Sequence, residues 1–317
     1  MTKYIFGVDI GGTTCKIGFF EAGGKLLNKW EIPTHRANNG ARVLDDLAAT
    51  LREKLASVGL STADLLGIGL GIPGLVAPNG MVSICANLGW RDLWVEKDFS
   101  ALMDGLPVKA LKDSNAAALG EIWQGTAKDH KSLAFVTIGT GIGGGIVLDG
   151  KLVIGTRGAG AEIGHIVINP KETRVCGCGN KGCVEQYASA TAMVRRAEEL
   201  LSEDYDEPSI LDGLEKLTTK EIFEAYSQQD RVATQVVEEF GECLGRGLSM
   251  ASSIVDPEIF LIGGGVSKAG QVLLDVVQKY FREYAIIDCK TTEFAIASLG
   301  NDAGIYGAAK LILDEVQ

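Results

Sequence analysis

Apolar residues at the start of the chain fall into short runs separated by glycines and polar residues. Runs at Tyr4–Ile10, residues 16–20 and residues 26–32 predict three strands joined by tight turns. Apolar residues then recur at helical spacing over residues 44–55, and a run at residues 66–70 predicts a further buried strand. The pattern therefore indicates a small β-meander followed by a helix and another strand.

The same order of elements begins again near the middle of the chain. Residues 133–138, 144–148 and 151–154 predict three strands, of which the last two are joined by the hairpin pair Asp149-Gly150. A strand–glycine turn–strand–turn–strand unit thus occurs twice. Such internal repetition is typical of two related lobes.

These elements define the predicted domain organisation of an α/β protein. A short strand at residues 108–111 leads into a helix that starts near Asn115, and we place the lobe boundary near Gly120. The smaller lobe is expected to comprise residues 1–119, with the C-terminal helix at residues 302–317 packing on it. The larger lobe is expected to comprise residues 120–301.

Composition and charge narrow the classes of function. Of the 317 residues 46% are hydrophobic, which is enough for packed cores. Lys and Arg number 30 while Asp and Glu number 41, so the net charge of −11 disfavours nucleic acid as the main partner. No apolar run reaches the ~18 residues of a membrane helix, and the N-terminus enters a strand without a leader pattern. We therefore expect a cytoplasmic protein without a membrane or nucleic-acid partner.

Glycine turns follow the first strand of each repeat. At residues 11–14 and 139–141, consecutive backbone N–H groups and threonine hydroxyls are suited to binding phosphate. Neither turn opens a helix, which distinguishes them from dinucleotide turns and P-loops. Asp9 is suited to holding Mg²⁺ through water. Ordinary hairpins are the alternative, but a third glycine cluster after Ile262 favours phosphate binding.

These turns resemble the motifs of the actin/hexokinase/Hsp70 ATPase superfamily. Asp9-Ile-Gly-Gly-Thr-Thr and Ile138-Gly-Thr-Gly-Ile-Gly-Gly-Gly are similar to its paired phosphate motifs, and Ile259-Phe-Leu-Ile-Gly-Gly-Gly-Val-Ser resembles its adenosine motif. Gly158-Ala-Gly-Ala-Glu-Ile-Gly-His followed by Cys176-Gly-Cys-Gly-Asn-Lys-Gly-Cys-Val-Glu is similar to the signature of the ROK family (repressors, open reading frames and kinases). The resemblance implies a two-lobed actin-like ATPase fold, of the ribonuclease H-like type, with a cleft between the lobes.

The resemblance also implies which residues bind ATP and Mg²⁺. They come from the two glycine turns, from the strand after the first turn and from the adenosine motif. The residues are Asp9, Gly11, Gly12, Thr13, Thr14, Lys16, Thr140, Gly141, Gly143, Gly264 and Gly265.

One histidine and three cysteines have the spacing of metal ligands. Cys176, Cys178 and Cys183 lie within eight residues of one another, and His165 precedes them by a short loop. Three thiolates and one imidazole make a closed tetrahedral zinc site, which stabilises a loop and does no chemistry itself. Three reduced structural cysteines are the alternative, and the Cys-x-Cys spacing disfavours a redox role.

Two glutamates beside the cysteine cluster are candidates for binding a sugar. Carboxylates are strong acceptors for hydroxyl groups, and Glu162 and Glu185 flank the zinc ligands. The resemblance implies that both glutamates and His165 contact sugar hydroxyls, so that zinc would hold the sugar-binding loop in place. Solvated surface charge is the alternative. The resemblance implies further sugar contacts at Gly74, Asn87, Lys112 and Asp113.

Asp113 is the candidate general base, because phosphoryl transfer needs a carboxylate that accepts the proton of the attacking hydroxyl. It matches the base of the family's Asn-Asp-x-Asn motif, and capping of the following helix is its alternative role. The motif here reads Lys112-Asp113-Ser114-Asn115, with Lys where the resemblance leads us to expect Asn. The Lys112 ammonium only donates hydrogen bonds, whereas Asn also accepts them, and it favours the ionised form of the Asp113 carboxyl. This difference from the motif leaves the identity of the sugar open.

The resemblance therefore implies transfer of phosphate from ATP to the 6-hydroxyl of a hexose, with glucose as the first candidate. Fructose, mannose, N-acetylmannosamine, allose and a β-glucoside stay open, because sugar choice depends on loop shape. A sugar-responsive ROK regulator is the second class. We expect against it, because the chain begins directly at the first strand, without a helix-turn-helix, and its charge has the wrong sign for DNA. The resemblance also implies a homodimer or homotetramer.

Overall fold

A computed structural model describes residues 3–203 and 208–316 of the chain. In the part of the chain that it describes, no helix combines the length and apolar character needed to cross a membrane. The chain divides into two compact units. The first comprises Met1–Lys131, Gly145–Ala161 and Ser298–Gln317, and the second comprises Ser132–Gly144 and Glu162–Ala297.

The strands are short and the helices vary from one turn to seven. The strands are β1 (Tyr4–Ile10), β2 (Thr14–Glu21), β3 (Leu26–Pro33), β4 (Leu65–Ile72), β5 (Leu75–Val76), β6 (Val82–Cys85), β7 (Trp90–Leu93), β8 (Val108–Lys112), β9 (Leu133–Ile138), β10 (Ile142–Leu148), β11 (Lys151–Leu152), β12 (Ile259–Gly263) and β13 (Glu293–Ile296). The helices are α1 (Ala37–Gly40), α2 (Val43–Ser57), α3 (Val95–Leu102), α4 (Asp113–Gln124), α5 (Glu185–Ala188), α6 (Ala190–Leu201), α7 (Thr219–Ser227), α8 (Arg231–Val255), α9 (Gln271–Tyr284) and α10 (Ala303–Val316).

The first unit is built on a five-stranded sheet with the order β3-β2-β1-β4-β8. The predicted meander is confirmed, since β1 and β2 pair antiparallel and β2 pairs with β3 in the same way. Strands β1, β4 and β8 are mutually parallel. Their carboxyl ends therefore meet at one edge of the sheet. Asp9 lies at this end of β1, and Asp113 directly follows β8.

Helix α10 packs on this sheet and on α4 at unusually short range, because glycines line the contact. A Cβ atom at Gly7 of β1 would lie 2.0 Å from the Ile305 carbonyl oxygen, and one at Gly69 of β4 would lie 1.8 Å from the Ala308 oxygen. A Cβ at Gly307 of α10 would lie 1.6 Å from the Ala116 oxygen of α4. Only glycine permits such backbone approach.

A three-stranded sheet with the order β5-β6-β7 completes the first unit. Strands β6 and β7 pair antiparallel, and the residues between them form a turn in which the Leu88 N–H donates to the Cys85 carbonyl at 3.2 Å. Leu88 and Trp90 are buried in the main core of this unit. The turn therefore carries Asn87 on a well-packed base.

The second five-stranded sheet has the order β11-β10-β9-β12-β13. Within the second unit, β12 pairs parallel with β9 on one side and with β13 on the other. All five residues of β12 are buried, as its uninterrupted apolar sequence predicts. The long helix α8 packs on α9, where a Cβ at Gly245 would lie 2.6 Å from the Phe281 backbone nitrogen.

The structure divides the chain differently from the boundary that we placed after residue 119. Helix α4 runs unbroken from Asp113 to Gln124. Its Gly120 packs on α10, because a Cβ there would lie 2.4 Å from the Ala303 oxygen. Residues 120–131 therefore stay with the first unit, which also includes residues 145–161. The third strand of the second repeat is also shorter than predicted and covers only Lys151–Leu152.

We predict that Gly69→Ala destabilises the protein by at least about 2 kcal/mol, because the new methyl group would force α10 away from β4. Chemical denaturation followed by circular dichroism measures the change. Gly23→Ala is the matched control, since a Cβ there meets no atom within 4 Å. An equal effect of the two substitutions would contradict the assigned role of the close contact.

Candidate functional site

The first glycine turn is a compact structure held by hydrogen bonds at both ends. The Gly11 N–H donates to the Thr14 carbonyl at 3.0 Å, and a Cβ at Gly11 would lie 2.6 Å from the same oxygen. The Thr34 hydroxyl donates to the Gly11 carbonyl at 2.8 Å, and the Thr34 N–H donates to the Thr13 carbonyl at 2.8 Å. The turn is therefore preformed, as a phosphate-binding turn needs to be.

Asp9 lies beside this turn in a crowded and poorly solvated place. It pairs in register with Lys16 of β2, and α10 approaches so closely that a Cβ at Gly304 would lie 2.7 Å from the Asp9 Cγ. Burial raises the pKa of Asp9 to about 6, with the Asp113 charge adding to the rise and Lys16 opposing it. Asp9 and Asp113 are therefore close enough to interact electrostatically. Neighbouring carboxylates of this kind are suited to binding a divalent cation.

Asp113 is the first residue of α4 and follows directly on β8. Lys112 is the extended residue before the helix and its side chain makes no capping hydrogen bond to it. The Asp113 Oδ1 accepts a hydrogen bond from the Ser114 N–H at 2.6 Å. The helix thus begins two residues earlier than the predicted start near Asn115. Asp113 occupies its first turn, with a side chain that is only half-buried.

Further predicted sugar residues of the first unit lie close to this group. Gly12 and Asn87 are neighbours, since a Cβ at Gly12 would lie 3.7 Å from the Asn87 Cβ. Gly74 packs on the strand before Asn87, where a Cβ would lie 2.5 Å from the Ile84 oxygen and 2.9 Å from the Cys85 Cβ. Lys112 is half-buried and its backbone pairs with Ile72.

The second glycine turn belongs to the second unit and is held by side chains of α5 and α6. The Ile142 N–H donates to the Glu185 Oε2 at 2.8 Å, and a Cβ at Gly141 would lie 2.2 Å from that oxygen. The Thr191 hydroxyl donates to the Thr140 carbonyl at 3.0 Å. Glu185, which was predicted to contact sugar, therefore also fixes the second turn. Gly143 follows in β10.

The four predicted metal ligands converge on one point in the second unit. One ligand atom from each of His165, Cys176, Cys178 and Cys183 lies within 4.8 Å of all the others. The Cys176 Sγ is 3.7 Å from the His165 Nδ1, and the Cys178 Sγ is 3.7 Å from the Cys183 Sγ. These cysteines are unpaired thiols rather than disulfides.

Glu185 and Glu162 border this cluster. The Glu185 Oε1 lies 3.7 Å from the Cys176 Sγ, so that one carboxylate contacts both the cluster and the second glycine turn. Glu162 precedes the single helical turn Ile163–His165, and its carbonyl accepts the His165 N–H at 3.0 Å. The Gly164 backbone packs closely on Ile142, because a Cβ added at Gly164 would lie 2.3 Å from the Ile142 oxygen.

The glycines after β12 border a separate cavity of the second unit. Gly264 has φ +83°, and a Cβ there would lie 2.4 Å from the Ile138 oxygen, so no other residue fits. Gly265 lines a cavity of about 510 Å³ together with α7 residues, among them Lys220 and Phe223, and with Lys268. The apolar wall and the flanking ammonium groups suit a nucleoside.

Sequence reasoning missed Glu121, which is completely buried in the first unit. Its carboxylate accepts the Thr126 N–H at 3.0 Å and the Leu299 N–H at 2.7 Å, so it ties α4 to the chain that leads into α10. A single Glu in a helix normally indicates a solvated face. The signal available was its place in a run of small and apolar residues, which indicates a helix buried on all sides.

We predict that the charge of Asp9 costs stability as the pH rises. The pKa of Asp9 is higher in the folded state than in the unfolded state, so folding favours the neutral carboxyl. The folded protein is therefore more stable at low pH, and it loses this stability as the pH rises from 3.8 to about 6. Asp9→Asn should therefore stabilise the metal-free protein by about 2 kcal/mol more at pH 6.5 than at pH 4. Urea unfolding at both pH values measures this. A gain that is equal at the two values would contradict the shift.

Comparisons with known proteins identify the family. The ROK family profile matches residues 5–315. The glucokinase of Halalkalibacterium halodurans is 39% identical over 98% of this chain and 95% of that protein, and the glucokinase of Thermotoga maritima is 36% identical over 98% of each. Among solved structures, the ROK hexokinase of Thermus thermophilus matches with a TM-score of 0.84 at 31% identity and covers 99% of both chains.

A second solved structure adds ligands to the comparison. The ROK family glucokinase of Streptomyces griseus in complex with glucose and AMPPNP matches with a TM-score of 0.74 at 35% identity, over 97% of this chain and 98% of that one. The two-unit α/β fold with a glycine turn after the first strand of each unit defines the actin-like ATPase class. Within that class, the chain belongs to the ROK family.

Proposed function

We propose that the protein is an ATP-dependent sugar kinase that phosphorylates glucose at its 6-hydroxyl. The observation that carries the proposal is Asp113, a half-buried carboxylate at the junction of β8 and α4 whose charge acts on Asp9. The full-length similarity to glucokinases supports the same reaction. The glucose and AMPPNP bound by the Streptomyces griseus relative support both substrates.

Asp113 acts as the general base. Its carboxylate accepts the proton of the 6-hydroxyl while the hydroxyl oxygen forms a bond to the γ-phosphorus of ATP. The bond between the γ-phosphorus and the bridging oxygen breaks, and ADP leaves with that electron pair. The Ser114 N–H, which donates to the Asp113 Oδ1, fixes the carboxylate for this task.

The two glycine turns bind the phosphates of ATP through backbone N–H groups, and the cavity beside Gly265 receives the adenosine. Asp9 would hold Mg²⁺ through water, with Lys16 opposite it in the neighbouring strand. When bound, Mg²⁺ would supply positive charge that offsets the charge of the phosphates. The assigned nucleotide residues of the turns are Gly11, Gly12, Thr13, Thr14, Thr140, Gly141 and Gly143, followed by Gly264 in the adenosine motif.

The cysteine cluster fits a structural zinc ion. A tetrahedral zinc with bonds of about 2.3 Å to sulfur and 2.0–2.1 Å to nitrogen separates two sulfurs by about 3.8 Å and a sulfur from a nitrogen by about 3.6 Å. The observed separations of 3.7 Å for both kinds of pair agree with these values. His165, Cys176, Cys178 and Cys183 would hold the ion, which supplies folding energy to the loop and no chemistry.

Hydrogen-bonding groups bind the sugar hydroxyls. In the second unit these are Glu162, His165 and Glu185, and the metal cluster together with the Ile142 N–H holds Glu185 in a fixed orientation. In the first unit Asn87 contacts the sugar hydroxyls, with Gly74 and Lys112 as further contacts. Lys112 offers only donors, so it selects for a sugar oxygen that accepts.

The choice of sugar stays broader than the choice of reaction. Relatives of this fold include an N-acetyl-D-glucosamine kinase of Histophilus somni at 29% identity, and fructose, mannose, N-acetylmannosamine, allose and a β-glucoside are the other candidates. Lys112 is the position at which we expect the preference to differ from that of glucokinases. We further propose a homodimer or homotetramer, and a cytoplasmic location, where ATP is available.

Replacing the base tests the proposed reaction. Asp113→Asn should lower the sugar-dependent release of ADP by at least about 100-fold, because the amide cannot accept the proton. A coupled assay with ATP, Mg²⁺ and a panel of hexoses measures the rate. Asp98→Asn is the matched control, an exposed aspartate in the first turn of α3.

Each outcome of this assay separates the alternatives. A rate with glucose that disappears in Asp113→Asn supports the proposal. A rate with a different hexose alone would retain the base and the reaction but reject glucose. Absence of turnover with every sugar, in folded and metal-replete protein, would instead favour a sugar-responsive regulator, a class represented by the xylose repressor of Caldicellulosiruptor bescii at 26% identity.

Metal analysis tests the zinc site. The purified protein should contain one zinc per chain, and Cys178→Ser should lose most of it while raising the KM for sugar more than the KM for ATP. Cys243→Ser is the control, because Cys243 is a free thiol outside the cluster. Full zinc occupancy in Cys178→Ser, measured by mass spectrometry of the metal, would refute the assignment.

A further inference from the structure

The short element α1, between β3 and α2, contains a left-handed turn rather than a regular α-helical one. Asn38 has φ 53° and ψ 46°, and Asn39 has φ 56° and ψ 42°. Gly40, with φ 63°, continues the same hand, so three consecutive residues have left-handed torsions. Side chains disfavour this conformation, and even asparagine adopts it as single residues rather than in succession. A strained run of this kind points to a local function.

The segment is anchored at its start to the first glycine turn. Thr34 donates two hydrogen bonds to that turn, from its hydroxyl to the Gly11 carbonyl at 2.8 Å and from its N–H to the Thr13 carbonyl at 2.8 Å. The position of residues 34–40 is therefore set by the turn to which we assign phosphate binding.

The left-handed turn itself packs on the turn that carries Asn87. The Trp90 indole N–H donates to the Gly40 carbonyl at 3.4 Å, and a Cβ at Gly40 would lie 3.1 Å from the Leu88 oxygen. A Cβ at Gly89 would lie 2.7 Å from the Asn39 Oδ1 and 3.1 Å from the Asn39 Cα. The main chains of the two turns are thus in direct contact, and an extended segment at residues 38–40 could not make it.

The two ends of the segment at residues 34–40 contact parts of the protein with different proposed functions. One end of the segment holds the glycine turn at Gly11 and Thr13, and the other supports the residues on the C-terminal side of Asn87. Asn87 lies near the first glycine turn, since a Cβ at Gly12 would lie 3.7 Å from the Asn87 Cβ. The segment therefore contacts both the first glycine turn and the turn that carries Asn87.

We propose that Asn39 is a positioning residue for sugar binding, which acts by holding the left-handed turn Asn38–Gly40 against the Asn87 turn. This rests on the proposed function, because Asn87 is assigned there to the sugar. The role assigned to Asn39 is to support the Asn87 turn rather than to bind a substrate. Its effect is to keep the Asn87 amide in place relative to the first glycine turn, so its loss affects sugar affinity before nucleotide affinity.

Two substitutions at Asn39 distinguish backbone conformation from general stability. Asn39→Val disfavours the left-handed torsion and should raise the KM for sugar on the order of tenfold, with the KM for ATP changed less than about twofold. Asn39→Gly keeps the torsion and should stay close to the unaltered enzyme. Gly59→Val is the matched control, because Gly59 has φ +71° and a Cβ there meets no atom within 4 Å. It should lower the melting temperature without a selective change in the sugar KM.

A second readout does not depend on catalysis. Amide hydrogen exchange at residues 86–90 should accelerate in Asn39→Val relative to the unaltered protein, and should not accelerate in Gly59→Val. Unchanged exchange in Asn39→Val, or equal KM changes for sugar and ATP, would overturn the proposal. If the unaltered protein shows no kinase activity, the proposed function fails on the activity assay alone, and the exchange experiment still decides whether Asn39 positions the Asn87 turn.

Discussion

The close approach of α10 to β1, β4 and α4 is the constraint on which the first unit depends. It requires glycine at Gly7, Gly69 and Gly307, since any Cβ would occupy the position of a carbonyl oxygen. The same packing brings the start of α10 against Asp9 and holds α4, whose first residue is Asp113. The packing of α10 thus helps to set the positions of the two carboxylates, of which Asp113 raises the pKa of Asp9 through its charge.

The second unit achieves its order differently, through one carboxylate with two tasks. Glu185 accepts an N–H of the second glycine turn with Oε2, while its Oε1 lies beside Cys176. A metal bound by the cysteine cluster would therefore also stiffen the turn, because the same side chain joins them.

Lys112 is the feature that distinguishes this chain from the motif it otherwise matches. It is half-buried and directly precedes Asp113, whose charge raises the pKa of Asp9. An ammonium favours the ionised form of a neighbouring carboxyl. The proposed consequence of the departure is a different choice of sugar oxygen, because Lys only donates hydrogen bonds whereas Asn also accepts them.

The sequence by itself determined the parts that follow from local patterns. The meander β1–β3, the glycine turns and the spacing of Cys176, Cys178 and Cys183 are encoded within a few residues each, and turn chemistry and ligand spacing are local properties. Only the tertiary structure decided the unit boundary, the burial of Glu121, the bond between Glu185 and the second turn, and the contact of Asn39 with the Asn87 turn. Each of these joins residues distant in the chain, or depends on backbone approach through glycine, and neither property has a periodic signal in the sequence.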